Sequence, residues 1–158
     1  MRSKGDRLRI RRADLADLSI VSEIVDRAYG VYVKRIGMRP GPMDADYRGE
    51  IDRGVVWVAA EREAVLGLIV LVENPDHLLI ENVAVDPAHQ GEGVGRALLG
   101  FAEDSAREGG LDAIRLYTHE KMRENLALYA RLGYREFERR DEGGFDRVFL
   151  SKNLSAAS

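Results

Sequence analysis

The chain of 158 residues contains no cysteine, and this absence excludes disulfides, thiolate metal sites and a cysteine nucleophile. Long hydrophobic runs are missing too. The longest uncharged apolar run extends from Ala64 to Val72, whereas a membrane-spanning helix needs about 20 residues. The opening Met-Arg-Ser-Lys-Gly lacks the apolar core of a signal peptide. We therefore expect a soluble, cytoplasmic protein without a membrane partner.

A strong excess of one charge is also absent. The net charge is −3, from 24 basic and 27 acidic residues, and a general nucleic-acid-binding protein would be strongly basic. Six of the first twelve residues are nevertheless basic: Arg2, Lys4, Arg7, Arg9, Arg11 and Arg12. We interpret this cluster as a solvated terminus, and a nucleic-acid partner is not expected. Because the three histidines are scattered (His77, His89, His119), a metal site is not expected either.

Hydrophobic periodicity predicts a single domain over residues 1–158, with flexible ends at 1–6 and 155–158. Strands are predicted at 8–11, 55–60, 65–72, 78–85, 114–119, 134–139 and 146–151. Helices are predicted at 15–28, 44–53, 93–108 and 122–132, and a loop or broken helix at 30–43. This order of elements predicts a mixed α/β or α+β sheet of six to seven strands, flanked by about four helices. The strand 78–85 is apolar on both faces and should be central.

A glycine-rich turn joins this central strand to the following helix. Gly91, Gly93 and Gly95 fall within six residues, between Asp86-Pro87 and the helix. Glycines let backbone N–H groups turn towards a ligand, and a helix N-terminus adds unpaired donors and partial positive charge. The turn is therefore either an anion site suited to a pyrophosphate or a tight loop that needs small residues. It is not a P-loop, and Arg96 breaks the dinucleotide-binding fingerprint.

Two motifs resemble those of the GCN5-related N-acetyltransferases (GNAT). Gln90, Gly93 and Gly95 fill the fixed positions of the family signature Q/R-x-x-G-x-G/A, and Glu-Asn-Leu-Ala-Leu-Tyr-Ala-Arg-Leu-Gly-Tyr (124–134) resembles its later motif. The resemblance covers about residues 7–152. It implies that acetyl-CoA lies in a V-shaped opening between strands 78–85 and 114–119. The implied cofactor-binding residues are Val83, Ala84, Val85, Gln90, Gly91, Glu92, Gly93, Val94, Gly95, Arg96, Asn125 and Tyr129.

The predicted function is acyl-CoA-dependent N-acetylation of a primary amine on a small molecule or peptide. With no cysteine and no G-x-S-x-G motif, the chain offers no obvious nucleophile for an acyl-enzyme, so the amine should attack the thioester directly in a ternary complex. Two alternatives remain open, a non-catalytic acetyl-CoA-binding module and a protein lysine or N-terminal acetyltransferase. Pairing of sheet edges could also form a homodimer.

Two residues are predicted to move protons. Tyr129 lies one helical turn after Asn125 and matches the family tyrosine that protonates the departing thiolate. Glu81 is the only charge in strand 78–85, where alternation places it on the face of Val83 and Val85. Burial there would raise its pKa, which suits a general base for the amine. An ion pair with Arg115 and a substrate contact are the other interpretations of Glu81.

The acceptor site is predicted around residues 30–43, a region that walls the acceptor site in the family. Tyr29, Tyr32 and Arg39 lie in or beside this segment. An arginine there could clamp a substrate carboxylate. The sequence does not identify the acceptor.

Overall fold

The computed structural model describes residues 8–154. The two ends expected to be flexible, and with them Arg2, Lys4 and Arg7, lie outside the described residues. Seven strands form one sheet in the order β1-β2-β3-β4-β5-β7-β6. The strands are β1 (Arg9–Arg12), β2 (Val56–Glu61), β3 (Ala64–Glu73), β4 (Leu78–Val85), β5 (Ala113–His119), β6 (Arg135–Glu142) and β7 (Phe145–Asn153). The predicted mixed sheet is confirmed, with β4 at its centre.

Five α-helices flank this sheet in the described part of the chain. They are α1 (Leu18–Gly30), α2 (Val33–Ile36), α3 (Tyr47–Asp52), α4 (Val94–Glu108) and α5 (Arg123–Arg131). Short 3₁₀ turns lie at Leu15–Asp17, Gly41–Asp44 and Pro87–His89. The segment 30–43 is a broken helix, because α2 ends at Ile36, Gly37 caps it and a 3₁₀ turn follows. No helix within residues 8–154 is long and apolar enough to cross a membrane.

Local hydrogen bonds cap the 3₁₀ turn Leu15–Asp17 that leads into α1, and they use part of the basic N-terminus. Asp14 accepts from the N–H of Ala16, and Asp17 accepts from the N–H of Asp14, both at 2.9 Å. This reciprocal capping satisfies donors that the first turn leaves unpaired. Arg11 binds the two carboxylate oxygens of Asp17 at 2.8 and 2.9 Å, and Arg12 stacks over Trp57 at 5.0 Å. These two cations therefore contribute to the fold.

The sheet has two apolar faces, each covered by different helices. Leu98, Leu99 and Ala102 of α4 pack with Ile69 and Ile80 on one face. The other face carries a second cluster with side chains of α1 and α3, including Val21, Ile24, Val25, Tyr47, Ile51, Val58 and Leu68. The core thus holds β2, β3 and β4 between two helical layers, and β4 is the strand that reaches the site.

The parallel pair β4–β5 opens after three residues. Leu78, Leu79 and Ile80 pair with β5, whereas Glu81 to Val85 have no partner on that strand. From Tyr117 onwards β5 continues to pair with β7 on its other edge. The strands therefore diverge at Glu81, which confirms the predicted V-shaped opening between 78–85 and 114–119.

A β-bulge at Glu81 changes which way the β4 side chains face. Val70 pairs with Asn82 and Leu71 pairs with Ile80, so Glu81 is an extra residue opposite β3. Val83 packs with the α4 side of the sheet, whereas Asn82 donates to the Tyr47 hydroxyl on the α3 side. The sequence analysis assigned Glu81 to a face of the sheet by assuming that side chains alternate along the whole of β4. The bulge interrupts this alternation, so that assumption is wrong.

Candidate active site

The glycine-rich turn presents backbone donors at the start of α4. Asp86 caps the preceding 3₁₀ turn by accepting from the N–H of Ala88 at 3.0 Å. Gly91 and Gly93 have φ values of 80° and 87°, a left-handed conformation that side chains disfavour. Gly93 is also the N-cap of α4. The first N–H groups of this helix have no acceptor within it, and they form an anion-binding end beside β4.

A groove runs from this turn along β4 to α5. All but one of the predicted cofactor-binding residues line it: Val83, Ala84, Val85, Gln90, Gly91, Gly93, Val94, Gly95, Arg96, Asn125 and Tyr129. The exception is Glu92, whose side chain lies 3.0 Å from Nδ1 of His89 and does not line the groove. Residues distant in the sequence therefore meet along a single groove.

Positive charge dominates this groove. Within the described range 8–154, its lining holds one carboxylate, Glu124, and four arginines: Arg27, Arg35, Arg96 and Arg131. Arg35 binds Glu124 at 2.8 Å, and Arg27 lies 3.3 Å from Asp86. Arg96 and Arg131 have no ion-pair partner within residues 8–154. The groove is thus suited to a ligand that carries several negative charges.

Tyr129 lies where the groove turns into the protein. Its side chain is buried, and its ring packs edge-on against Tyr134 at 5.8 Å. Burial raises the pKa of Tyr129, so the phenol stays protonated at neutral pH. Asn125 lies one helical turn earlier and lines the same groove. Tyr129 can therefore donate a proton to a group held beside it.

A second cavity adjoins the groove at this point. Its walls come from the diverging strands, the turn at residues 40–42, α5 and β7: Ile80, Glu81, Asn82, Leu116, Tyr117, Thr118, His119, Ile36, Pro40, Gly41, Pro42, Phe145 and Arg147. Five further residues line both cavities: Tyr29, Val83, Met122, Asn125 and Tyr129. We call the second cavity the acceptor pocket and the first the cofactor groove.

The three predicted acceptor residues have different positions. Tyr29 lies at the junction of the two cavities, and its hydroxyl donates to Asn82 Oδ1 at 2.5 Å, with the Val83 carbonyl at 3.1 Å. Tyr32 lines the cofactor groove and not the acceptor pocket. Arg39 lines neither cavity, because its guanidinium turns outward to Asp44 at 3.0 Å. The arginine on the pocket wall is Arg147.

Glu81 reaches the acceptor pocket, but without the expected arginine. Within the described residues no ion pair joins Glu81 to Arg115. Arg115 stacks over Phe137 at 5.0 Å instead. The ion-pair interpretation of Glu81 is therefore wrong, and the base and substrate-contact interpretations remain.

A second carboxyl group near Glu81 was missed by the sequence analysis. Glu50 of α3 is 6% exposed, and its Oε2 atom has no hydrogen-bond partner in the described structure. Burial, and then the charge of Glu81, raises the pKa of Glu50 to about 7. A signal was present in the sequence, because Tyr47, Glu50 and Ile51 share one helix face and place a carboxyl group in an apolar stripe.

His119 also belongs to the pocket. Its side chain is buried at the end of β5, and the N–H of Lys121 donates to its Nδ1 at 3.1 Å. This contact requires Nδ1 to accept, which assigns the proton of the neutral ring to Nε2. Burial lowers the pKa of His119, so the ring is neutral at pH 7. The sequence showed only a histidine after a strand, with no signal of burial.

Comparison with known proteins assigns the family. Residues 21–134 match the acetyltransferase (GNAT) family. The chain is 31% identical over 83 residues to a probable N-acetyltransferase 14 of Xenopus tropicalis, covering 51% of this chain and 40% of that protein. The chain thus spans less than half the length of that relative.

Solved structures agree with this fold. The PaiA N-acetyltransferase of Thermoplasma acidophilum, crystallised with coenzyme A, superposes with a TM-score of 0.76 at 18% identity, covering 92% of this chain and 98% of that one. The ribosomal-protein-S18-alanine N-acetyltransferase of Escherichia coli gives 0.69 at 21% identity, covering 96% of each chain. The fold and site define an acyltransferase scaffold. The chain belongs to the GNAT acetyltransferase family, as its two motifs predicted.

Proposed function

We propose that this protein transfers the acetyl group of acetyl-CoA to a primary amine by direct attack. The observation that carries the proposal is the junction of the two cavities, at Tyr29, Val83, Met122, Asn125 and Tyr129. A thioester in the groove and an amine in the pocket would meet there, beside a buried phenol. Holding two reactants in this way replaces a bimolecular encounter by a reaction within one complex.

The cofactor groove supports acetyl-CoA as the donor. The pyrophosphate would lie on the N–H groups at the start of α4, and Arg96 and Arg131, which line the groove, would bind further phosphate charge. Beyond Ile80 the edge of β4 facing β5 carries no strand, so the backbone at Val83 and Val85 is available to a pantetheine arm. Asn125 would approach this arm from α5.

The chemistry balances with two proton transfers. The amine nitrogen attacks the thioester carbonyl carbon, an N–C bond forms and the C–S bond breaks. Glu81 takes one proton of the ammonium, directly or through water. The second nitrogen proton reaches the departing sulfur through Tyr129, which gives its own proton to sulfur and regains one from nitrogen as the amide forms. An amine of pKa about 10 is mostly charged at neutral pH and needs such a base. Glu50 lies near Glu81, and after burial the charge of Glu81 is the second cause that raises the pKa of Glu50.

The test is release of CoA, followed with a thiol reagent, over a panel of small amines, amino acids and short peptides. We expect turnover with at least one amine class and none without acetyl-CoA. Binding of acetyl-CoA with no turnover on any acceptor would contradict catalysis and favour the non-catalytic binding module. Modification of intact proteins, with lysine or N-terminal acetylation read by mass spectrometry, separates the protein-acetylating alternative.

The edge strand β6 gives little support to a homodimer through sheet extension. Its side chains are mostly exposed and charged: Arg135, Glu136, Glu138, Arg139, Arg140 and Asp141. Charged edges resist pairing with another strand. We therefore propose that the chain works without edge-to-edge pairing, and sedimentation of the purified protein tests this.

A further inference from the structure

Arg147 is held rigidly at the wall of the acceptor pocket. Its guanidinium carbon lies 4.6 Å from the ring centre of Tyr117 and 5.6 Å from that of Phe145. Its Nη1 atom binds Oε1 of Glu142 at 3.1 Å. Cation–π contacts to two rings and one charged hydrogen bond fix the plane of the group. The orientation is therefore set before any acceptor binds.

Most donors of this guanidinium remain available. An arginine has five N–H donors, and the contact to Glu142 uses Nη1 alone. Within residues 8–154, Nε and Nη2 have no hydrogen-bond or ion-pair partner. Nη2 lies beside Gly41, 3.5 Å from the position of an added Cβ, so it reaches the turn that borders the pocket. A free pair of donors therefore faces the space where an acceptor would lie.

The pocket wall carries an acidic and a basic side chain. Among residues 8–154, Glu81 is the only carboxylate and Arg147 the only arginine in its lining, and no lysine of this range lines it. Tyr117 also lines the pocket and is affected by both charges: burial raises its pKa, Arg147 opposes this rise and Glu81 adds to it. An acceptor amine at the Glu81 end would lie beside the cofactor junction. A second group of opposite charge on the same acceptor would then meet Arg147.

We propose that the acceptor is zwitterionic, an amino acid or short peptide whose carboxylate is bound by Arg147 while its amine faces Glu81. The inference rests on the proposed function and names its substrate class. Guanidinium and carboxylate match in a two-point geometry, which gives both strength and orientation. The clamp is thus on β7, whereas the sequence suggested Arg39.

The experiment compares matched acceptors that differ only in the carboxylate. A panel of amino acids and their carboxamides is assayed with the wild type, Arg147→Met and Arg147→Lys. For the preferred side chain we expect the acid to exceed its amide in kcat/KM by about 10- to 100-fold. Arg147→Met should bring the two to near parity, with the KM for acetyl-CoA unchanged. Arg147→Lys should keep part of the preference for the acid over the amide, because lysine retains the positive charge but lacks the two-point donor geometry of a guanidinium. Arg115→Met, which removes a ring-stacked arginine outside the pocket, should keep all of it.

A binding measurement separates this inference from the proposed function. Calorimetry of N-acetyl amino acids against their amides, on protein saturated with CoA, reads the carboxylate site without turnover. We expect the acids to bind more tightly and Arg147→Met to remove the difference. Equal binding of acids and amides, or a preference that survives Arg147→Met, would overturn the proposal of a zwitterionic acceptor. This holds whether or not the protein turns over any substrate. If acids bind more tightly than amides but no acetylation occurs, the carboxylate site at Arg147 is supported and the proposed acetyl transfer is overturned.

Discussion

The cofactor groove and the acceptor pocket share five residues but are built differently. One stretch, Val83 to Arg96, supplies the largest continuous share of the groove lining, and it offers a ligand backbone N–H groups and the guanidinium of Arg96. The pocket takes side chains from α1, the turn at residues 40–42, β4, β5, α5 and β7. A change in the groove should therefore affect every acceptor equally. A change in the pocket should alter which acceptor is used.

The largest expected effect is a groove substitution, Gly95→Asp. An added Cβ would lie 3.7 Å from Val85, an ordinary contact, so the fold should survive. Two like charges about 4 Å apart repel by about 4 kcal/mol at an effective dielectric of 20. We expect acetyl-CoA affinity to fall by at least about 100-fold by calorimetry. Gly100→Asp, on the same helix with open space around its Cβ, is the control and should bind normally.

The second largest effect is expected from removing the Tyr129 hydroxyl, which lies at the junction of the two cavities. We expect Tyr129→Phe to lower kcat by about 10- to 1000-fold, in the range of general acid catalysis, with the Kd for acetyl-CoA nearly unchanged. Tyr134→Phe is a matched control, because that buried tyrosine packs on Tyr129 but lines neither cavity. Equal losses in both variants would mean that Tyr129 contributes packing alone.

In the pocket, the variant Glu81→Gln distinguishes the two remaining interpretations of Glu81, a general base and a substrate contact. A base predicts slower turnover at neutral pH and partial recovery at high pH, where the amine is already neutral. A loss that is the same at every pH would instead indicate a substrate contact. The melting temperature should hold, because no ion pair with Arg115 is broken. The pH profile of kcat/KM and the melting temperature are measured on the same preparation.

The smallest effect concerns stability. The pKa of Glu50 is raised by burial to about 7 in the folded protein, so the unfolded chain ionises first as pH rises from about 4.5. Folding stability should fall across this window by up to about 3 kcal/mol. Glu50→Gln cannot ionise, so it should be more stable than wild type at pH 8 and similar at pH 4. Denaturant unfolding at both pH values checks this, with exposed Asp52→Asn as control. An identical pH dependence in wild type and Glu50→Gln would contradict the assignment.

Sequence reasoning predicted the strands and the helix order because these depend on local patterns, whereas the groove was implied by the resemblance to the family motifs. Periodicity located β4 to the residue, and the positive-φ glycines of the turn stand within one short stretch. Two motifs then identified the family. The part of the groove formed by β4 and the glycine-rich turn was therefore visible before the structure.

The pocket was harder to predict because its residues meet only after folding. The bulge at Glu81 changes which face of the sheet the β4 side chains point to. The sequence of Leu78–Val85 contains no local signal for an extra residue opposite β3. Arg39 and Arg147 look alike in the sequence, but Asp44 holds the first outward and two aromatic rings hold the second inward. Such choices depend on tertiary partners far along the chain.

The divergence of β4 and β5 has a consequence for heat tolerance. Five residues of a central strand lack the neighbour that a closed sheet would give them, and that edge lines the groove. A ligand that binds there binds the folded chain and not the unfolded one. At 100 times its Kd it adds about 2.7 kcal/mol, which moves the melting temperature of a chain this size by several degrees. The melting temperature therefore depends on how much acetyl-CoA is dissolved with the protein.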